Sequence, residues 1–173
     1  MGKRDPGKHS CWRALLLVAR KRRKSCLGLS VIELIIVMAI IGTLVSIAVP
    51  RFLNYKNKAK IGLAIADIEL LEKEILLYQI DHGKPPGTLA DIGRGDYLDP
   101  WGNPYQYLNF STLGGKSKGK MRKDRFLVPL NTDYDLYSMG ADGKTASPLT
   151  AQVSYDDIVR ANDGAFIGLG KEY

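Results

Sequence analysis

The chain has 173 residues, with 25 Lys and Arg against 18 Asp and Glu, a formal net charge of +7 at pH 7, two Cys and two His. That length sets one small domain plus an anchor, and the excess charge invites a nucleic-acid or membrane-surface reading. The excess is confined to one end: residues 1–28 carry nine basic side chains against Asp5, net +8, which leaves −1 for residues 29–173 and withdraws the invitation.

Residues 1–28 form a basic segment ahead of a long apolar run. Arg20, Lys21, Arg22, Arg23 and Lys24 form a basic flank of the kind held on the cytoplasmic side of a membrane. Both cysteines, Cys11 and Cys26, lie in this segment, so the chain beyond Gly28 has no thiol, disulfide or cysteine metal site. Cys26 is not a lipidation site, because Arg23-Lys24-Ser25 lacks the apolar residue a lipoprotein signal needs.

From Leu29 to Val49 run 21 residues in which Glu33 is the only ionisable side chain. As a helix they reach roughly 31 Å, about one hydrocarbon core. An acid inside such a span costs about 2.5–3.5 kcal/mol and therefore calls for a partner. After Pro50 the pattern becomes amphipathic: Ile61, Ile65, Ile68, Leu71, Ile75 and Tyr78 share one helical face, while Asp67, Glu69, Glu72, Lys73 and Glu74 take much of the rest. The spacing predicts one helix over residues 29–81, kinked at Pro50, capped by Gly83 and stopped by Pro85-Pro86. Gly62, inside the amphipathic half, marks either close helix packing or a tolerated defect of roughly 1 kcal/mol against Ala.

The basic leader, Gly28, Ser30, Ile32-Glu33-Leu34 and the apolar helix ending at Pro50 together resemble the prepilin signal of type IV pilins and type II secretion pseudopilins. The resemblance implies cleavage by prepilin peptidase after Gly28, N-methylation of the new amino terminus at Leu29, and Glu33 as the fifth mature residue. Leu29 departs from the family's usual Phe. In a bundle of parallel helices, the new amine of one subunit can neutralise Glu33 of its neighbour, which removes the cost of an unpaired acid in lipid.

Turn chemistry follows the helix. Thr88 caps a short turn over residues 89–92 that Gly93 and Gly95 end. Residues 105–110 alternate as a strand, and residues 125–130 and 134–139 are further candidate strands. Three short antiparallel strands behind one long helix make a small α+β fold. The chain thus divides into a leader (1–28), a transmembrane and polymerisation helix (29–50), its amphipathic continuation (51–84) and a globular β-sheet region (85–173).

Asp99-Pro100-Trp101-Gly102-Asn103-Pro104, continuing to Tyr107, and Asp135-Leu136-Tyr137-Ser138-Met139-Gly140-Ala141-Asp142-Gly143 are similar to the C-terminal signature of the major pseudopilin of type II secretion. Residues 77–83 with Pro85 resemble that family's helix end. The basic insert 113–125 and the long tail after Gly143 depart from its pattern. The resemblance implies a calcium ion in the loop after residue 139, with Asp142 as a ligand and Asp157 or Asp156 as a second one. Calcium takes six to eight oxygens and accepts Asp carboxylates mixed with backbone carbonyls. The alternative is that Asp142 shapes a turn while Asp156 and Asp157 cap a helix over residues 158–161.

Other constellations fail. Gly115-Lys116-Ser117 ends like a phosphate loop, but Phe110 occupies the required earlier glycine position. Of His9 and His82 only the latter follows the leader, and it reads as a helix-end residue complementing the dipole. Lys116, Lys118, Lys120, Arg122, Lys123 and Arg125 form a basic run without aromatics, a solvated loop in preference to a nucleic-acid contact.

The chain is therefore expected to be a structural subunit and not an enzyme: a single-pass inner-membrane protein with cytoplasmic leader and periplasmic globular region, a substrate of prepilin peptidase, forming a homopolymeric periplasmic pseudopilus with minor pseudopilins and an inner-membrane assembly platform. The alternatives are a type IV pilin of a surface fibre and a minor pilin whose basic loop holds DNA or an exported substrate.

Overall fold

The computed structural model describes residues 28–113, 118–125 and 127–173. The leader ahead of Gly28, with its basic flank and both cysteines, and Gly115-Lys116-Ser117 lie outside the described residues. The described residues group into two compact units that divide after Ser46.

In the first unit, Gly28, Leu29 and Ser30 precede helix α1 (Val31–His82), whose opening bond runs from Leu34 N to the Ser30 carbonyl at 3.1 Å. Glu33 stands in the first turn, where a carboxylate complements the positive end of the helix dipole. All residues from 28 to 46 are exposed, and the hydroxyls among the apolar residues are satisfied inside the helix: Thr43 donates to the Ile40 carbonyl at 2.8 Å and Ser46 to that of Thr43 at 2.7 Å. A helix so saturated presents no unpaired hydroxyl donor to lipid. α1 is continuous through Pro50, although the ring lacks the N–H that the Ser46 carbonyl would accept.

In the second unit, Ile68, Leu71 and Ile75 of the predicted stripe on α1 are buried, together with Ala64, which the stripe did not include. Ile61 and Ile65 flank it. α1 ends at His82, and Gly83 at φ +74 donates its N–H to the Gln79 carbonyl at 2.8 Å, a left-handed cap of the kind glycine supplies without strain. Thr88 opens a 3-10 turn, Leu89–Ile92, by a capping box with Asp91, and Gly93 at φ +75 closes it.

Four short strands form one antiparallel sheet in sequence order: β1 (Gln106–Asn109), β2 (Tyr134–Ser138), β3 (Ile158–Ala161) and β4 (Phe166–Leu169). Gln106 pairs with Tyr137, Tyr137 with Val159, and Val159 with Gly168. Tyr134, Leu136 and Ile158 pack on the α1 side with Leu89 and Tyr105. Val159 and Ala161 face the other way, onto Leu130, Leu149, Phe166 and Tyr173. The α+β architecture is as predicted, and β1 and β2 match two of the three predicted strands.

The third is corrected. Residues 125–130 contain no strand among those described; Leu127 and Val128 are exposed and Val128-Pro129 is a cis bond. β3 stands where Asp156 and Asp157 suggested a helix cap, and β4 lies in the tail.

Candidate functional site

The amino-terminal element is an accessible one. Leu29 is 72% exposed, and a Cβ placed on Gly28 would meet nothing within 4 Å. Among the described residues nothing therefore requires glycine at position 28. Among the described residues no hydrogen bond is made to the Glu33 side chain, and its exposure on α1 leaves it available to a neighbouring molecule. Gly62 likewise has nothing within 4 Å, so no close packing is made there among the described residues.

The two C-terminal motifs interlock. Asp99 is buried; its Oδ1 accepts from Trp101 N at 3.0 Å and Asn103 N at 2.8 Å, and its Oδ2 accepts from Ser138 Oγ at 2.6 Å. Asn103 Nδ2 then donates to the Gly140 carbonyl at 3.0 Å. The turn after Asp99 thus clamps the start of the β2–β3 connection. Glycine is demanded twice in that connection. Gly140 has φ +64 and an added Cβ would lie 2.2 Å from the Asp156 carbonyl; Gly143 has φ +65 and a Cβ would lie 3.0 Å from Asn103 Oδ1.

The three aspartates of the predicted calcium site do not make one donor set. Asp142 and Asp156 share a turn: Asp156 Oδ2 accepts from Ala141 N at 2.9 Å and Asp142 N at 3.1 Å, and Asp142 Oδ1 accepts from Lys144 N at 2.8 Å. These are the bonds of an Asx turn and of a carboxylate cradled by backbone amides. Asp157 is turned inward and fully buried. Its Oδ2 accepts from Arg122 Nη2 at 2.5 Å and from Thr145 Oγ1 at 2.7 Å. Burial pushes the Asp157 carboxyl above its ordinary range, opposed by the Thr145 hydroxyl and the Arg122 charge. Among the described residues no three His, Cys, Asp or Glu are placed to hold one metal ion. Asp142 and Asp156 thus share one turn, while Asp157 faces Arg122 instead.

Arg122 is the residue that sequence reasoning missed. It sits in the basic run read as a solvated loop, yet its side chain is 3% exposed. Its guanidinium also contacts Thr145 Oγ1, donates to the Ala146 carbonyl at 2.7 Å, and stacks 4.2 Å from the Tyr137 ring centre. Arg122 lies 35 positions from Asp157, so no local pattern signals the pair. Of the rest of that run, Lys120 and Arg125 are exposed and Lys123 is half-buried.

Arg160 on β3 anchors the sheet to α1. Its Nε donates to Glu72 Oε1 at 2.7 Å, and its two Nη atoms reach the Asp133 carboxylate at 2.8 and 3.0 Å.

The chain is 30% identical over 149 residues to the type II secretion system core protein G of Aeromonas hydrophila, spanning 74% of this chain and 90% of that protein. To the protein of the same name in Pseudomonas aeruginosa it is 29% identical over 144 residues, 71% of this chain and 89% of the relative. To that of Vibrio cholerae it is 29% identical over 145 residues, 72% and 86% respectively. No family model matches the chain, and no solved structure matches it.

Proposed function

The chain belongs to the type II secretion system core protein G family, and from that premise we propose how its two units work. It is a major pseudopilin, a structural subunit without catalytic residues of its own. The observation that carries the mechanism is the apolar start of α1, exposed among the described residues, with Glu33 its lone acid. That segment first holds the subunit in the inner membrane by a single span, with the basic leader cytoplasmic and the globular unit in the periplasm. Prepilin peptidase removes the leader after Gly28 and methylates Leu29. The amine so created on one subunit meets Glu33 of the next, and the apolar helices bundle into a periplasmic pseudopilus. Minor pseudopilins and an inner-membrane assembly platform are the expected partners.

Pairing explains why an acid is kept where it costs insertion energy: buried among helices, a carboxylate and an amine neutralise each other. The test is genetic and biochemical together. Deleting the gene should trap exported proteins in the periplasm, and the wild-type chain should release them. Export that continues unchanged in the deletion strain would refute the assignment.

A further inference from the structure

We propose that the Arg122 guanidinium is the resident cation of the β2–β3 connection, seated on Asp157, Thr145 and the Ala146 carbonyl, so that the connection closes without a metal ion. The guanidinium meets one carboxylate oxygen, one hydroxyl and one backbone carbonyl, the three kinds of oxygen that a hard divalent cation collects. A second cation at those oxygens would stand against the positive charge of the guanidinium.

The arginine is held there by its own backbone. Arg122 N donates to Asp135 Oδ2 at 2.6 Å, and its carbonyl accepts from Leu130 N at 2.9 Å. Neighbouring strands of chain tie the same segment to the far side of the connection: Lys123 N donates to the Ser147 carbonyl at 3.1 Å, and Leu149 N to the Lys123 carbonyl at 2.9 Å. The basic insert 113–125 and the long loop joining β2 to β3 are thus two parts of one device. The insert supplies the charge, and the loop supplies the oxygens.

Of the three buried side-chain atoms that lack partners among the described residues, one is Trp101 Nε1 and the other two are Arg122 Nε and Asp157 Oδ1. The latter two are one donor and one acceptor on the two members of a single ion pair. The pair meets through Arg122 Nη2 and Asp157 Oδ2 at 2.5 Å. The other acids of the connection are engaged by backbone amides, with Asp156 on Ala141 and Asp142 and Asp142 on Lys144.

The experiment uses the processed full-length chain in detergent micelles. Thermal unfolding is followed by near-ultraviolet circular dichroism with chelator, with calcium chloride and with neither, and terbium luminescence serves as the direct probe of a calcium-type site. The wild-type midpoint should be the same in all three conditions and terbium should not bind saturably. Arg122→Ala should lower the midpoint by roughly 10 °C or more, because a buried carboxylate loses its partner. The double variant R122M/D157L should recover most of that loss. A wild-type midpoint that falls with chelator, or saturable terbium binding displaced by calcium, would overturn the proposal even if Arg122→Ala failed to fold. An Arg122→Ala midpoint equal to wild type would also overturn it.

Discussion

Replacing Arg160 by methionine should loosen the attachment of the sheet to α1. The guanidinium is 3% exposed and joins Glu72, at 26%, to Asp133, at 38%, while lying 4.2 Å from the Tyr134 ring centre. Removing one member of a buried ion pair costs about 3–5 kcal/mol, most of it from the charge left behind. Here both carboxylates retain some solvent and can rehydrate, so the expected loss is about 2–3 kcal/mol. For a folded unit of this size each kcal/mol moves the melting midpoint by about 3–5 °C, which gives a drop of about 6–15 °C. The assay is thermal unfolding of the full chain in detergent. The accompanying double variant, Glu72→Gln with Arg160→Met, should be less than additive by at least about 0.5 kcal/mol. A midpoint within about 2 °C of wild type, or strict additivity, would refute the view that this triad joins helix to sheet.

Three further outcomes are expected. A bulkier residue at Gly28 should leave the melting midpoint unchanged, because nothing lies within 4 Å of its Cβ position, while mass spectrometry finds the leader still attached. Gly140→Ala should destabilise by about 2 kcal/mol or more, from the left-handed backbone and the collision with the Asp156 carbonyl, and limited proteolysis should then cut the β2–β3 connection. Asp163 has its pKa held below the ordinary 3.8, first by the Thr132 N–H and then by the Thr132 hydroxyl. Its stabilisation is therefore complete above the unfolded value and is lost as pH falls through the folded one, so Asp163→Asn should lower stability at neutral pH, leave low pH least affected and thereby flatten the acid limb of a pH–stability curve.

The parts of this fold governed by neighbours in sequence were legible. The stripe at Ile68, Leu71 and Ile75, the Gly83 cap and the Thr88 turn each depend on residues within a few positions of one another. β3 was not legible for the opposite reason. Its four residues are all buried, with α1 over one face and Leu130, Leu149 and Tyr173 over the other, so the alternation that marks a half-exposed strand is missing. Asp156 and Asp157 ahead of it then imitate a helix cap. β4 contains Gly168, which hides a strand by composition. Residues 125–130 mislead in reverse: the apolar run is exposed at Leu127 and Val128 and carries Pro129.

At the candidate sites the same division holds. Gly28, Leu29 and Glu33 are read from residues close together in the chain, and the roles proposed for them involve a peptidase and a neighbouring subunit. Asp142, Asp156 and Asp157 were identified by type, but which of them turns inward depends on Arg122, a residue from a distant basic run. A carboxylate and a guanidinium far apart in the chain leave no pattern that a window of sequence can detect.

The most direct test of the central account is at Glu33. Glu33→Val removes the acid, retains an apolar helix and lowers the cost of insertion by about 2.5–3.5 kcal/mol. Membrane insertion and leader removal should proceed as in the wild type, whereas electron microscopy and subunit cross-linking should find filaments lost and export arrested. Filaments of normal length and yield from the Glu33→Val chain would contradict the pairing of Glu33 with the amino terminus of its neighbour.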